Sequence, residues 1–248
     1  MSKVLNNPSK LLKIKGLYGG YNGEAIIRDC NLEIIEREIV VIMGGSGSGK
    51  STFLKHLIGL KKPMDGVVEL FGNSLYSGTE SERLKLLKKI GVSFQSGALL
   101  SSLTVMENVA LPLVEHTDLD QETIEFMVRM KLDFVGLLGK ENLFPSELSG
   151  GMLKRVAVAR AIALDPRLTF MDEPSAGLDP TVSAALDQLI LKLRDALNMS
   201  VLVVTHELDS AFAIADRIVV LDKGTIIFEG TVADIKKSQN QKIKNLIN

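Results

Sequence analysis

Ile39-Val40-Val41-Ile42-Met43-Gly44-Gly45-Ser46-Gly47-Ser48-Gly49-Lys50-Ser51-Thr52 is a run of five apolar residues, right for a buried strand, leading into G-x-x-x-x-G-K-S. The helix-compatible Phe53-Leu54-Lys55-His56-Leu57-Ile58 follows. Glycines let the backbone turn at positive φ and come close to a ligand. Successive N–H groups from Gly47 to Thr52 then point at phosphate oxygens where the helix dipole is positive. Lys50 would reach the β- and γ-phosphates, and the Ser51 hydroxyl would bind Mg²⁺. The stretch therefore predicts a nucleotide cradle built from Gly44, Gly45, Ser46, Gly47, Ser48, Gly49, Lys50, Ser51 and Thr52.

Three further apolar segments end in polar residues. Val92-Ser93-Phe94 stops at Gln95, Leu168 to Met171 delivers Asp172-Glu173, and Val201 to Thr205 delivers His206. Strand and helix alternate from Ile39 onward, which predicts a parallel sheet covered on both faces with its ligand beyond the carboxyl ends of the strands. Hydrolysis of a γ-phosphate needs a phosphate cradle, a Mg²⁺ held by hydroxyl and carboxylate, and a polarised in-line water. Asp172 suits the metal shell and Glu173 suits water activation. Two neighbouring acids without such work would be costly to desolvate.

Upstream, Leu11 to Leu17 and Ala25 to Ile34 read as strands around a turn at Gly19-Gly20-Tyr21-Asn22-Gly23. Tyr21 reads either as a turn residue or as an aromatic that stacks on a purine, an interaction of about 0.5–1.5 kcal/mol beyond burial. Downstream, Val67 to Phe71 is a short strand. Thr79 and Glu82 suggest a capping box for a helix with an apolar face at Leu84, Leu87 and Ile90. Ser96 to Leu103 is an unusually apolar loop. The segment from Thr104 to Gly139 is helical by period, with a polar joint at His116 to Asp120. Ser149-Gly150-Gly151 opens a helix that runs to Leu164 and stops at Asp165-Pro166. Thr181 to Leu197 is another helix. Arg217 to Leu221 and Ile226 to Phe228 are strands joined at Lys223-Gly224. The tail from Lys236 to Asn248 is a frayed end or a short docked helix.

At 248 residues the chain is long enough for one α/β domain with an insertion. Its net charge of −1 gives no bulk electrostatic reason to expect nucleic-acid binding, which leaves only local basic patches open. The single cysteine, Cys30, reads as a small buried hydrophobe. Met1 to Lys13 has neither the pattern of a signal peptide nor that of an anchor. Nowhere do about 18 apolar residues run together. Any membrane work is therefore expected to go through a partner.

Leu148-Ser149-Gly150-Gly151-Met152 resembles the LSGGQ signature of ABC-type ATPases. The order of P-loop, Gln95, signature, Asp172-Glu173, Ser175-Ala176-Gly177-Leu178-Asp179 and His206 is that family's order. The resemblance implies an α/β P-loop NTPase fold: a mostly parallel core sheet (about 11–91 and 143–230), an N-terminal antiparallel β subdomain, an inserted helical subdomain (about 92–142) and a tail (231–248). It implies a head-to-tail homodimer with ATP and Mg²⁺ between the P-loop of one copy and the signature of the other. In that scheme Tyr21 stacks on adenine, Gln95 senses Mg²⁺, and Ser149, Gly150 and Gly151 grip the γ-phosphate in trans. Asp179 crosses the dimer interface, and His206 holds the γ-phosphate and the water that Glu173 activates.

Four positions depart from the family pattern: Gly45 replaces a proline, Arg37 a turn glycine and Met152 a glutamine, and Thr169 interrupts an apolar strand. Phe94-Gln95-Ser96-Gly97-Ala98-Leu99, Pro145 to Met152 with Lys154-Arg155, and Thr205-His206-Glu207-Leu208-Asp209 look like the Mla-type ATPases of phospholipid transporters. These work with a membrane permease, an MCE lipid-binding protein and sometimes a STAS-domain protein. That resemblance implies a subunit held at the cytoplasmic side of the inner membrane, where the apolar loop at Ala98-Leu99-Leu100 would be a docking patch. An ATPase for amino-acid or ion import, or a soluble ABC protein outside transport, are the alternatives.

Overall fold

A computed structural model describes residues 9–247. The expectation for Met1 to Lys13 falls largely outside that range, as does Asn248. In chain order the elements begin with β1 (Lys10–Tyr21), β2 (Glu24–Ile35), β3 (Ile39–Met43), α1 (Lys50–Leu57), β4 (Asp65–Leu70), β5 (Asn73–Ser74), α2 (Glu80–Leu87) and β6 (Ile90–Ser93). There follow α3 (Val105–His116), α4 (Gln121–Phe134), α5 (Gly150–Ala161), β7 (Leu168–Asp172), α6 (Pro180–Leu197) and β8 (Ser200–Val204). The last are α7 (Leu208–Ile214), β9 (Arg217–Asp222), β10 (Thr225–Gly230), α8 (Val232–Lys236) and α9 (Gln241–Ile247).

Six strands form the central sheet in the order β10-β9-β3-β8-β7-β6. All its pairs are parallel except the β9–β10 hairpin. All five residues of β3 have no exposed surface, because alternate side chains enter two different cores. Ile39, Val41 and Met43 face the helices α3 to α9, while Val40 and Ile42 face α1 and a second sheet. That second sheet is antiparallel, β2-β1-β4-β5, and roofs α1. Each aliphatic side chain so enclosed contributes about 1.5–3 kcal/mol. This is the expected mostly parallel α/β core with an antiparallel subdomain. Thr169 sits in β7 fully buried and its hydroxyl donates to Met199 Sδ at 3.7 Å, so the polar interruption has a partner. No helix among the described residues is long and apolar enough to cross a membrane.

Local expectations change in several places. β1 runs on to Tyr21, and only Asn22 and Gly23, both at positive φ, make the turn. Gly19 lies inside the strand because a Cβ there would stand 2.1 Å from the buried His56 ring of α1; close packing, not turning, needs that glycine. Ile90 is not on the α2 face but opens β6 opposite Leu168. Leu84, 50% exposed, is not on a buried face either, since α2 buries Leu86. Helical spacing of three leucine-like residues across a helix end could not separate these cases. Phe94 lies just beyond β6. The short helix α7, with Ser210, Ala211 and Ile214 buried, was not anticipated after His206. At the far end, α9 buries Ile243 against the helical core.

Arg37, in the tight turn between β2 and β3, has φ 62. A side chain in this left-handed region costs about 1–2 kcal/mol. Arg37→Gly relieves that, less the added freedom of the unfolded chain. We expect the thermal midpoint to rise by about 2 °C; a calorimetric scan showing a fall would refute strain at this turn.

Candidate nucleotide-binding site

The phosphate loop hangs between a buried strand and a helix start. Gly49, at φ 104, caps α1, and Ser48 N–H donates to the Gly45 carbonyl at 3.2 Å. From below, the β9–β10 turn braces the loop: Gly224 N–H donates to the Ser48 carbonyl at 2.9 Å. That turn must be glycine, because at φ 80 its Cβ would lie 1.6 Å from the Ile26 carbonyl oxygen. Above, Gly45 and Gly47 would have nothing within 4 Å of an added Cβ, so the loop's outer face is open. The Lys50 ammonium folds over it and donates to the Gly44 and Gly45 carbonyls at 2.7 and 3.1 Å. Partial burial pushes Lys50 below the ordinary lysine range, and Glu173 and Asp172 oppose that shift. Among the described residues the buried Ser48 hydroxyl has no hydrogen-bond partner. A cation folded over open amides with an unused hydroxyl is a cradle for an anion.

The parallel order β3-β8-β7-β6 places His206, Asp172-Glu173 and Gln95 on one edge with this loop. Asp172 is held above the usual carboxylate range, first by burial and then by Glu173, with Lys50 pulling the other way. Glu173 is 9% exposed and adopts φ 47. Its N–H donates to the Val204 carbonyl at 2.8 Å, anchoring it to β8. One carboxylate oxygen is 2.8 Å from His206 Nδ1, and the other accepts from the Thr205 hydroxyl at 3.2 Å. The carboxylate is thus aimed from both sides while the His206 side chain stays 61% exposed. Gln95 follows β6 with its side chain exposed. It shares a cavity of about 600 Å³ with Asp172, Gly150, Lys154 and Leu178.

Ser51, Asp172 and Gln95 offer a hydroxyl, a carboxylate and an amide oxygen, the hard donors that suit Mg²⁺. No cluster of three or more His, Cys, Asp or Glu among the described residues could hold an ion unaided. The donor set therefore fits an ion that arrives with nucleotide phosphates, since Mg²⁺ commonly combines one or two carboxylates with phosphate oxygens.

Tyr21 ends β1 beside α1, 38% exposed. Its hydroxyl accepts from the Lys55 ammonium at 3.3 Å, and the Lys61 ammonium lies 4.0 Å from the ring centroid. One ring face therefore carries a cation. Ser149 caps α5, accepting from Met152 N–H at 3.3 Å, and both Ser149 and Gly150 are exposed. Gly151 cannot carry a side chain without meeting Val182 of α6 at 2.7 Å. Met152 packs its side chain on the helical core, which accounts for an apolar residue in place of glutamine. Asp179 caps α6 through two amides at 3.0 Å, a structural task beside any interface one.

Four residues of the site neighbourhood were missed by sequence reasoning. Thr205 aims Glu173. Asn108, fully buried, bonds Leu100 N–H at 2.8 Å and the Leu100, Leu103 and Thr104 carbonyls at 2.9–3.0 Å. Arg160 donates to the Gly97 and Ala98 carbonyls at 2.7 and 2.8 Å. Lys154 bonds the carbonyls of Gln95 and Glu173. Asn108, Arg160 and Lys154 all bond main-chain atoms, and for Arg160 and Lys154 these lie far along the chain, which residue patterns do not encode. The one available signal was the presence of three cations, Lys154, Arg155 and Arg160, on the otherwise small and apolar α5.

These elements define a P-loop ATPase with its hydrolytic groups on one sheet edge. The profile of the ABC transporter family matches residues 27–176, and the chain belongs to that family, whose members hydrolyse ATP. Among curated relatives, the intermembrane phospholipid transport system ATP-binding protein MlaF of Haemophilus influenzae is 39% identical, over 94% of this chain and 88% of its own length. The probable ribonucleotide transport ATP-binding protein mkl of Mycobacterium leprae is 37% identical over 96% of this chain and 68% of its own length. The dimeric structure of an ATP-binding cassette in a post-hydrolysis state with ADP and phosphate superposes with TM-score 0.82. It shares 34% identity across 89% of this chain and 98% of that one.

Proposed function

We propose that two copies of this chain bind ATP head to tail and drive phospholipid transport by a membrane permease on the cytoplasmic side of the inner membrane. The observation that carries the lipid reading is the near full-length similarity to a phospholipid-system ATPase. An MCE-domain lipid carrier and a STAS-domain protein are the further partners this reading names.

In this reading the amides from Gly44 to Thr52 and the Lys50 ammonium hold the β- and γ-phosphates, and the Tyr21 ring receives the adenine. Ser149, Gly150 and Gly151 of the other copy close on the γ-phosphate, with Asp179 at the seam. Support for a site shared between copies comes from the exposure of Ser149 and Gly150 at a helix start. Ser51, Asp172 and Gln95 would hold Mg²⁺, which supplies neutralisation of the charge that develops on the phosphates. Glu173 takes a proton from the attacking water while Thr205 orients its carboxylate. His206 must swing from Glu173 toward the γ-phosphate, which its exposure permits.

For the permease contact, the groove beside the expected docking loop is added to this reading. Leu99 packs on the core and only Leu100, 46% exposed, presents a large apolar side chain. Next to the loop is an apolar groove of about 650 Å³ lined by Leu84, Leu87, Leu111, Pro112 and Leu164. Arg160 lines this groove and also holds Gly97 and Ala98. An apolar permease segment seated there would therefore move the loop that carries Gln95.

The cargo is tested by purifying the chain with its permease from membranes, analysing the retained molecules by mass spectrometry, and measuring ATP-driven transfer of phospholipid between vesicles. Retained phospholipid and ATP-dependent transfer are expected. ATP-driven movement of ribonucleotides or amino acids by the complex, with no lipid transfer, would replace this reading; the name of the mycobacterial relative marks ribonucleotides as the first competitor.

A further inference from the structure

Lys154 lies one turn into α5, the helix that Ser149 caps. Its ammonium donates to the main-chain carbonyl of Gln95 and, at 3.1 Å, to that of Glu173. These are the two positions on which Mg²⁺ sensing and water activation are expected to depend, and they lie on different loops after different strands. Both need holding. Glu173 sits at φ 47, a conformation that persists only where the surroundings over-determine it. Three bonds do so: its N–H to Val204 at 2.8 Å, Ala176 N–H to its carbonyl at 3.3 Å, and Lys154 to that carbonyl. Gln95 has no side-chain hydrogen bond among the described residues, and Lys154 and Arg160, six positions apart on one helix, meet the carbonyls of its loop. Among the described residues, Lys154 is the side chain that hydrogen-bonds both loops.

We propose that Lys154 is a positioning residue that ties Gln95 and Glu173 of one copy to its own signature helix, so that the hydrolytic groups are aligned only when that helix is correctly placed. A cation suits this task because each carbonyl accepts a charge-assisted bond, stronger than a neutral one and tolerant of direction. The long aliphatic stem lets the ammonium span two loops, which a shorter polar side chain could not do. The chemistry also sets a limit. Lys154 acts here through two main-chain carbonyls and lies outside the phosphate loop, so its loss should slow the bond-breaking step and spare ATP capture by that loop.

The inference rests on ATP hydrolysis by this family and not on the cargo, so the outcome of the lipid test leaves it unaffected. In the full-length chain, Lys154→Met should lower kcat about tenfold through misplacement of the reacting groups. Affinity for a non-hydrolysable ATP analogue should stay within about twofold, and the Mg²⁺ concentration for half-maximal rate should rise several-fold. Lys154→Arg, which keeps charge and reach, should recover at least half of the wild-type kcat. Should the methionine variant fail to fold, Lys154→Gln, too short for both carbonyls, replaces it with the same expectations. An unchanged kcat overturns the proposal while leaving the ATPase reading intact. Equal losses in ATP affinity and kcat, or no recovery with arginine, show a merely structural lysine and overturn it as well.

Discussion

Glu173→Gln is expected to cut ATP turnover by about 10²–10⁴-fold, the range for removal of a general base. That corresponds to roughly 3–5 kcal/mol of transition-state stabilisation. The substitution keeps the shape of a side chain that accepts from Thr205 at 3.2 Å and lies 2.8 Å from His206, so folding should be preserved. It removes the negative charge and with it the capacity to take a proton. ATP binding should therefore survive, and a nucleotide-loaded dimer should accumulate, visible by size-exclusion chromatography with light scattering in the presence of ATP and Mg²⁺. Turnover above about one tenth of wild type would remove Glu173 from this role.

Lys50→Ala acts at the earlier step. The ammonium folds over the Gly44 and Gly45 carbonyls at 2.7 and 3.1 Å and closes the cradle until phosphate replaces those acceptors. Losing a charge-assisted bond of this kind costs about 1.5–3 kcal/mol, which is about a 10- to 100-fold weaker affinity for ATP. Calorimetric titration with a non-hydrolysable analogue reads this directly. The two variants should thus separate: one binds and does not turn over, the other fails to bind. An affinity for Lys50→Ala within twofold of wild type would show that the loop amides alone carry the phosphate.

Much of the site was legible because its groups are tied to local sequence. The cradle from Gly44 to Thr52 needs a strand, a glycine loop and a helix start in immediate succession, and the acids at the end of β7 need an apolar strand to deliver them. The tasks of Asn108, Arg160 and Lys154 were not legible, since each bonds carbonyls, and carbonyls belong to every residue alike. Tyr21 was half legible: an aromatic at the edge of the loop could be seen, but not that Lys61 covers one of its faces. That Leu99 is half-buried against the helical core while Leu100 stays exposed was not legible either, because the two residues look alike in the sequence and only the packing of the helices separates them.

By itself the sequence determined the fold class and the phosphate loop. Alternation of buried strands with helices, and glycines at fixed spacing, are short-range requirements that few other arrangements satisfy. Tertiary structure alone decided how the loop ends are aimed. The left-handed backbone at Glu173, the brace from Gly224 under Ser48, and the reach of Lys154 to two carbonyls depend on segments that meet only after the sheet has closed. The five apolar residues from Ile39 to Met43 could be read as a strand, but which of them would face α1 and which the helices beyond was settled by the layers built on either side.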